Sequence, residues 1–195
     1  MIDLGKQYWE RRWEEHQTGW DIGSASTPLV EYFEQLTDKS ITILIPGCGN
    51  AYEAEVLIEM GFKNTFVIDI SKKALESFKE RFPTFPIANM FCEDFFSHQK
   101  QYDLILEQTF FCALNPNLRE KYCLKASSLL KVNGRLAGVL FNEEFFTDHP
   151  PFGGFKKDYL PTFENHFDIA TFEECYNSIK PRANRELFIN VRKQA

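Results

Sequence analysis

The sequence predicts an α/β fold with a seven-stranded, mainly parallel sheet, helices on both faces and an antiparallel hairpin at one edge. Three observations carry this expectation. Short, continuously apolar runs alternate with helical stretches from residue 41 onward, the pattern of strands buried on both faces. Gly47-Cys48-Gly49 stands between the first such run and a helix. The last two strand-like segments, 167–175 and 186–191, have no clear helix between them, which suits a hairpin.

Each element has a local cause. Residues 6–16 read as an amphipathic helix with Trp9 and Trp13 four apart on one face. Residues 19–27 are loop-like, and Thr27-Pro28 looks like a cap and first-turn proline for a helix to about Leu36. Residues 41–46 form the first strand. Residues 51–60 form a helix closed by Gly61. Residues 65–70 are the second strand, and Ser71 can cap the helix that Pro83 stops. A weaker third strand follows at 87–92, and 103–107 is the fourth. Asn115-Pro116 opens a helix ending near Asn133-Gly134, and 135–141 is the fifth strand. Residues 142–155, with Pro150-Pro151 and Gly153-Gly154, read as a loop.

Composition narrows the function. The 195 residues are 44% apolar and 26% charged, within the range of one globular domain. A net charge of −6 and the absence of a basic stripe disfavour a nucleic-acid partner. Five cysteines without a CxxC argue against both a disulfide framework and structural zinc, so no metal is expected. The charged start of the chain and the lack of a run of about 20 apolar residues predict a soluble, cytoplasmic protein without a membrane partner. Twenty phenylalanines read either as core filling or as an aromatic-lined pocket.

The glycine turn carries the first functional signal. Gly47 and Gly49 let the chain turn sharply and approach a ligand. Asp69 ends the second strand twenty residues after Gly49, where nucleotide-binding α/β domains hold ribose hydroxyls. Asp94 follows the third strand and can reach an adenine amino group. A dinucleotide site needs a third glycine and a helix N-terminus free for pyrophosphate. Here that glycine is absent, and Glu53 and Glu55 occupy the helix start. S-adenosylmethionine, an adenosine cofactor without phosphate, fits this pattern better.

The pattern Tyr8-Trp9, Trp13, Gly19-Trp20-Asp21, Gly23 and Pro28-Leu29 resembles the opening of the thiopurine S-methyltransferase family. Its Trp20-Asp21-x-Gly23 form resembles the plant and bacterial thiol/halide methyltransferase branch. Pro46-Gly47-Cys48-Gly49, Asp69-Ile70-Ser71, Glu93-Asp94-Phe95-Phe96 and the stretch Thr109 to Pro116 are similar to that family's successive motifs. The resemblance implies a Rossmann-like class I methyltransferase fold using S-adenosylmethionine. It implies a flap, residues 1–25, whose Trp9, Trp13 and Trp20 cover the cofactor, ahead of a core at 26–195. It implies that Gly47 and Gly49 face the methionine moiety, that Asp69 and Ile70 hold the ribose, and that Asp94 and Phe95 flank the adenine. Glu107 is implied at the transfer site, where the plant branch usually has Asp-Tyr in place of Glu107-Gln108. The tryptophans also read as rings docking a helix on the core.

The expected activity is methyl transfer to a small soft nucleophile such as a thiol, a thiopurine-like sulfur or a halide. Such acceptors need alignment and water exclusion more than a base. Candidate bases are Glu107, Asp21 and His149. His16, His98 and His166 read as surface residues, and Arg119 as structural. Phe110, Phe111 and Phe152 are expected to build the acceptor wall. The expected partner is a small-molecule methyl acceptor, with the chain a monomer or weak oligomer. Two alternatives stay open: an O- or N-methyltransferase of the same fold, and a non-catalytic cofactor-binding module.

Overall fold

The computed structural model describes residues 3–194. Residues 1 and 2 of the expected flap and residue 195 of the expected core lie outside that range. Seven strands form one sheet among the described residues: β1 (Ile43–Pro46), β2 (Thr65–Asp69), β3 (Met90–Cys92), β4 (Tyr102–Gln108), β5 (Leu130–Phe141), β6 (Phe167–Glu174) and β7 (Glu186–Lys193). Their order is β3-β2-β1-β4-β5-β7-β6. The first five run parallel, while β7 is antiparallel to both β5 and β6. The mainly parallel sheet with its antiparallel edge is as the sequence predicts.

Six α-helices accompany it among the described residues: α1 (Lys6–Glu14), α2 (Thr27–Glu34), α3 (Tyr52–Glu59), α4 (Lys72–Arg81), α5 (Arg119–Leu129) and α6 (Lys156–Glu164). Parallel strands need both faces covered, and two apolar clusters do this. Leu29 and Phe33 of α2, Leu57 of α3 and Phe78 of α4 pack with Leu104 and Leu106 on one face. Tyr122 and Ala126 of α5 and Tyr159 and Phe163 of α6 pack with Ile105 on the other. Alternation along β4 therefore divides its side chains between the two layers.

Several boundaries differ from expectation. Ser26, not Thr27, precedes the first turn of α2, and its carbonyl accepts from Leu29 and Val30. The Ser26 amide donates in turn to Glu53 Oε1 at 2.9 Å, a tertiary tie that local propensity does not encode. The stretch Ile87–Asn89 forms a 3-10 turn, leaving β3 three residues long. The helix α5 ends at Leu129, and β5 begins at once with Leu130. The helix α6 was unassigned in the sequence because it contains Pro161, which removes an interior donor. Ser71 caps α4 as expected, accepting from Ala74 N at 3.2 Å.

Candidate active site

The strand order reverses between β1 and β4, whose parallel neighbours lie on opposite sides. The crevice beyond the carboxyl ends of such strands is where open α/β sheets bind ligands. A cavity of about 550 Å³ opens there, within the usual range for small-molecule sites.

The turn after β1 forms its floor. Gly47 has φ +56°, and a Cβ there would sit 2.2 Å from Phe110 Cδ2. Only glycine meets both demands, the left-handed backbone and the ring packed against it. Gly49 has φ +51°, with the Trp13 ring 3.4 Å from where its Cβ would stand. The Gly49 amide donates to Asp69 Oδ2 at 3.0 Å, and the Ser71 amide donates to Oδ1 at 2.8 Å. Two backbone donors leave each oxygen a further acceptor position, so the carboxylate can take two hydroxyls. Burial pushes the Asp69 carboxyl up to about 6, against the two amides that favour its charge.

The roof is aromatic. Trp20 stands edge-on to Trp9 at 5.6 Å and to Trp13 at 6.2 Å between ring centres. The Trp20 carbonyl accepts from Arg182 at 2.9 Å. Asp21 accepts from the Gly23 amide at 2.7 Å, the Tyr52 hydroxyl at 3.3 Å and the Asn50 carboxamide. The roof is thus tied to the start of α3 and to the turn before β7.

Charge around the cavity is one-sided. Asp3, Asp21, Glu53, Asp69, Glu93 and Asp94 line it, while Arg12 is its cation among the described residues. Carboxylates and ring faces suit a sulfonium and an ammonium group, and they repel a pyrophosphate. S-Adenosylmethionine therefore fits the residues present. The buried acid at the end of β2, the phosphate-free turn and the aromatic roof each suit a part of it.

Of the residues expected at the site, Trp9, Trp13, Trp20, Gly47, Gly49, Asp69, Ile70, Asp94, Phe95 and Phe110 all line this one cavity. Glu107, Phe111 and Phe152 do not. Glu107 is fully buried beneath the loop after β4. Its Oε1 accepts from the Phe110 and Phe111 amides, both at 2.8 Å, and its Oε2 accepts from the Tyr122 hydroxyl at 2.6 Å. Burial pushes this carboxyl up to about 7, yet it holds a loop and does not face the cavity. Phe111 packs among Tyr122, Tyr159 and Phe163 in the core. The Phe152 amide donates to the Cys112 carbonyl at 2.7 Å, so that residue fastens its loop instead.

Other expectations are corrected or refined. His98 is buried, not on the surface, because its ring bridges Glu93 at 2.6 Å and the Tyr102 hydroxyl at 2.7 Å. Arg119 lies over Phe111 and Tyr159 and donates to the Gly153 carbonyl at 2.8 Å. Most phenylalanines fill the two apolar layers, and Phe95, Phe96 and Phe110, which pack on one of them, also line the cavity. Sequence reasoning missed Gln108, which lines the cavity with its carboxamide oxygen buried and unpartnered in the chain. Cys48 and Cys112 also line it. Burial pushes the Cys48 thiol well above its ordinary range and the Cys112 thiol up to about 12.

A Rossmann-like sheet with a buried acid at the end of β2, a phosphate-free glycine turn and an aromatic roof defines a class I S-adenosylmethionine-dependent methyltransferase. The chain belongs to the thiopurine S-methyltransferase family, whose family model matches residues 4–193. It is 33% identical to the probable thiol methyltransferase 2 of Arabidopsis thaliana over 74% of this chain and 66% of that protein. It is 32% identical to thiocyanate methyltransferase 1 of the same plant over 91% of this chain and 81% of that one. The fold also matches the 1,6-didemethyltoxoflavin-N1-methyltransferase of Burkholderia thailandensis, with a TM-score of 0.76 and 13% identity over 97% of this chain and 87% of that one. A likeness at that identity speaks for the fold alone. No helix among the described residues is long and apolar enough to cross a membrane.

Proposed function

We propose that this methyltransferase acts on the ionised fraction of a small thiol or hydrosulfide, with no side chain of the protein serving as its base. One observation carries the reading: the candidate bases are all engaged or displaced. Glu107 spends both oxygens on Tyr122 and two backbone amides. Asp21 accepts from three donors. His149 lies outside the cavity lining, and its ring contacts the Pro150 carbonyl.

The wall contributed by the end of β4 and the following turn, Gln108 to Leu114, carries no acid, lysine or histidine. An alcohol of pKa near 15 needs a positioned base in such surroundings, whereas a thiol of pKa about 8.5 is a few per cent ionised at neutral pH. The cofactor supplies a methyl group on a cationic sulfur, an electrophile that a soft anion attacks in line.

The chain's own residues bind and exclude. Asp69 takes the ribose hydroxyls, Asp94 and Phe95 flank the adenine, and Gly47 and Gly49 lie along the methionine moiety. Trp9, Trp13 and Trp20 keep water out and offer ring faces to the sulfonium, worth about 0.5–2 kcal/mol. Phe110 backs the acceptor. Cys48 and Cys112 stay protonated and poor nucleophiles beside a methyl donor.

The test is product formation with matched thiol, alcohol and amine acceptors at fixed S-adenosylmethionine. The thiol is methylated fastest if the reading holds. Preference for the alcohol or amine overturns the soft-nucleophile assignment and leaves the methyltransferase class intact.

A further inference from the structure

The helix α1 carries two of the three roof tryptophans, yet none of its residues is buried. Its residues are half-buried or exposed, so burial holds it less firmly than it holds the sheet. Among the described residues, Glu10 is the α1 side chain that hydrogen-bonds the core. Its Oε2 accepts from Ser71 Oγ at 2.7 Å and lies 3.5 Å from the Lys73 amide. It thus sits at the start of α4, where a helix favours an anion. Ser71 is fully buried, and its hydroxyl has one proton, which goes to Glu10, while its lone pair takes the Ala74 amide. The Ser71 amide donates to Asp69, the ribose acid of the cavity. Glu10 and Asp69 are thereby held by the hydroxyl and the amide of one residue.

We propose that Glu10 is a positioning residue: its hydrogen bond to Ser71 clasps α1 over the end of β2 and sets how long the tryptophan roof stays closed above the ribose site. This rests on the cofactor reading above. The Trp13 ring lies 3.4 Å from where a Gly49 Cβ would stand, so the clasp also sets where that ring sits over the glycine turn. Loss of the clasp leaves the ties of Asp21 to Asn50 and Tyr52 and of the Trp20 carbonyl to Arg182, and the flap opens from its α1 end.

The test compares Glu10→Ala with Glu10→Gln, whose carboxamide oxygen still accepts from Ser71. Amide exchange across residues 6–14 is followed in the free protein, and cofactor release is followed by tryptophan fluorescence. A hydrogen bond to a charged group supports about tenfold or larger effects. Glu10→Ala is expected to speed both exchange and release by about that factor, and to raise the cofactor KM more than it lowers kcat. Glu10→Gln recovers most of both. Wild-type exchange in Glu10→Ala, or equal damage in the two variants, overturns the clasp. A wild-type protein that binds no S-adenosylmethionine overturns the functional reading instead, and the exchange measurement on the free protein still decides the clasp.

Discussion

The Gly49 amide and the Asp69 carboxylate meet at 3.0 Å, joining the turn after β1 to the end of β2. This bond makes the floor of the cavity one unit. In the proposed reading, the acid assigned to the ribose is already oriented by the turn assigned to the methionine moiety.

Asp69→Ala removes the proposed ribose acceptor and frees the Gly49 and Ser71 amides. Charge-assisted hydrogen bonds contribute about 1.5–3 kcal/mol, so S-adenosylmethionine affinity is expected to fall roughly ten- to hundredfold. Calorimetry on the folded variant measures this. Unchanged affinity would take Asp69 out of the site.

Glu107 is expected to matter for stability, not for chemistry. Glu107→Ala strands two amides and a buried hydroxyl, each costing about 1–3 kcal/mol if left unpaired. The midpoint of thermal unfolding should drop, while the pH profile of kcat keeps its shape. A lost limb in that profile, with the midpoint unmoved, would restore Glu107 as a base.

The same burial makes stability pH-dependent. The folded-state pKa of Glu107 rises from 4.5 to about 7, and that of Asp69 from 3.8 to about 6. Raised carboxyls leave the folded state holding more protons than the unfolded state across these windows. Their contribution is complete below the unfolded values and is lost as pH rises through the folded ones. Stability of the free protein should therefore fall between about pH 4 and 7, by on the order of 3 kcal/mol from Glu107 alone. Denaturant melts of Glu107→Gln should show a flatter decline, and an identical slope would contradict this assignment.

Gly47→Ala tests the packing of the turn. The added methyl would meet the Phe110 ring at 2.2 Å, at a backbone with φ +56°. Expelling the ring should reshape the acceptor wall and abolish tight cofactor binding. Adding Phe110→Ala removes the clash but leaves the backbone strain of about 1–2 kcal/mol, so binding should return only in part. Equal affinity in the single and double variants would show that the clash is not the cause.

With no base on the acceptor wall, kcat/KM for a thiol should rise with pH and level off at that thiol's own pKa. Two thiols of different pKa should give two displaced profiles. The intact mass of the protein should not change on long incubation with S-adenosylmethionine, because Cys48 and Cys112 remain neutral. A common inflection for both thiols would point to an enzyme group, and methylated Cys48 or Cys112 would contradict their protonated state.

The sheet, its parallel core and its antiparallel edge were legible because apolar runs and turn residues are local signals. So was the cavity floor, since Gly47, Gly49 and Asp69 follow from where β1 and β2 end. The tryptophans were found through family resemblance, and their joint roof rests on the ties of Asp21 and Arg182 to distant segments. The α6 helix was missed because Pro161 hides its periodicity, and His98 because a polar sequence neighbourhood says nothing of Tyr102 folding over it.

Neighbouring residues on β4 show the division most sharply. By itself, the sequence determined where β4 ends, and the family resemblance implied Glu107 at the transfer site. Neither settled which face of the strand that residue takes, because adjacent strand residues point to opposite faces. Packing decided it. Ile105 lies in the layer beneath α5 and α6, and Glu107 meets Tyr122 of α5. Leu104 and Leu106 lie in the opposite layer, and Gln108 reaches the cavity. The sheet's assignment of faces came from long-range burial of aromatic side chains, and that burial turned the expected base into a buried anchor.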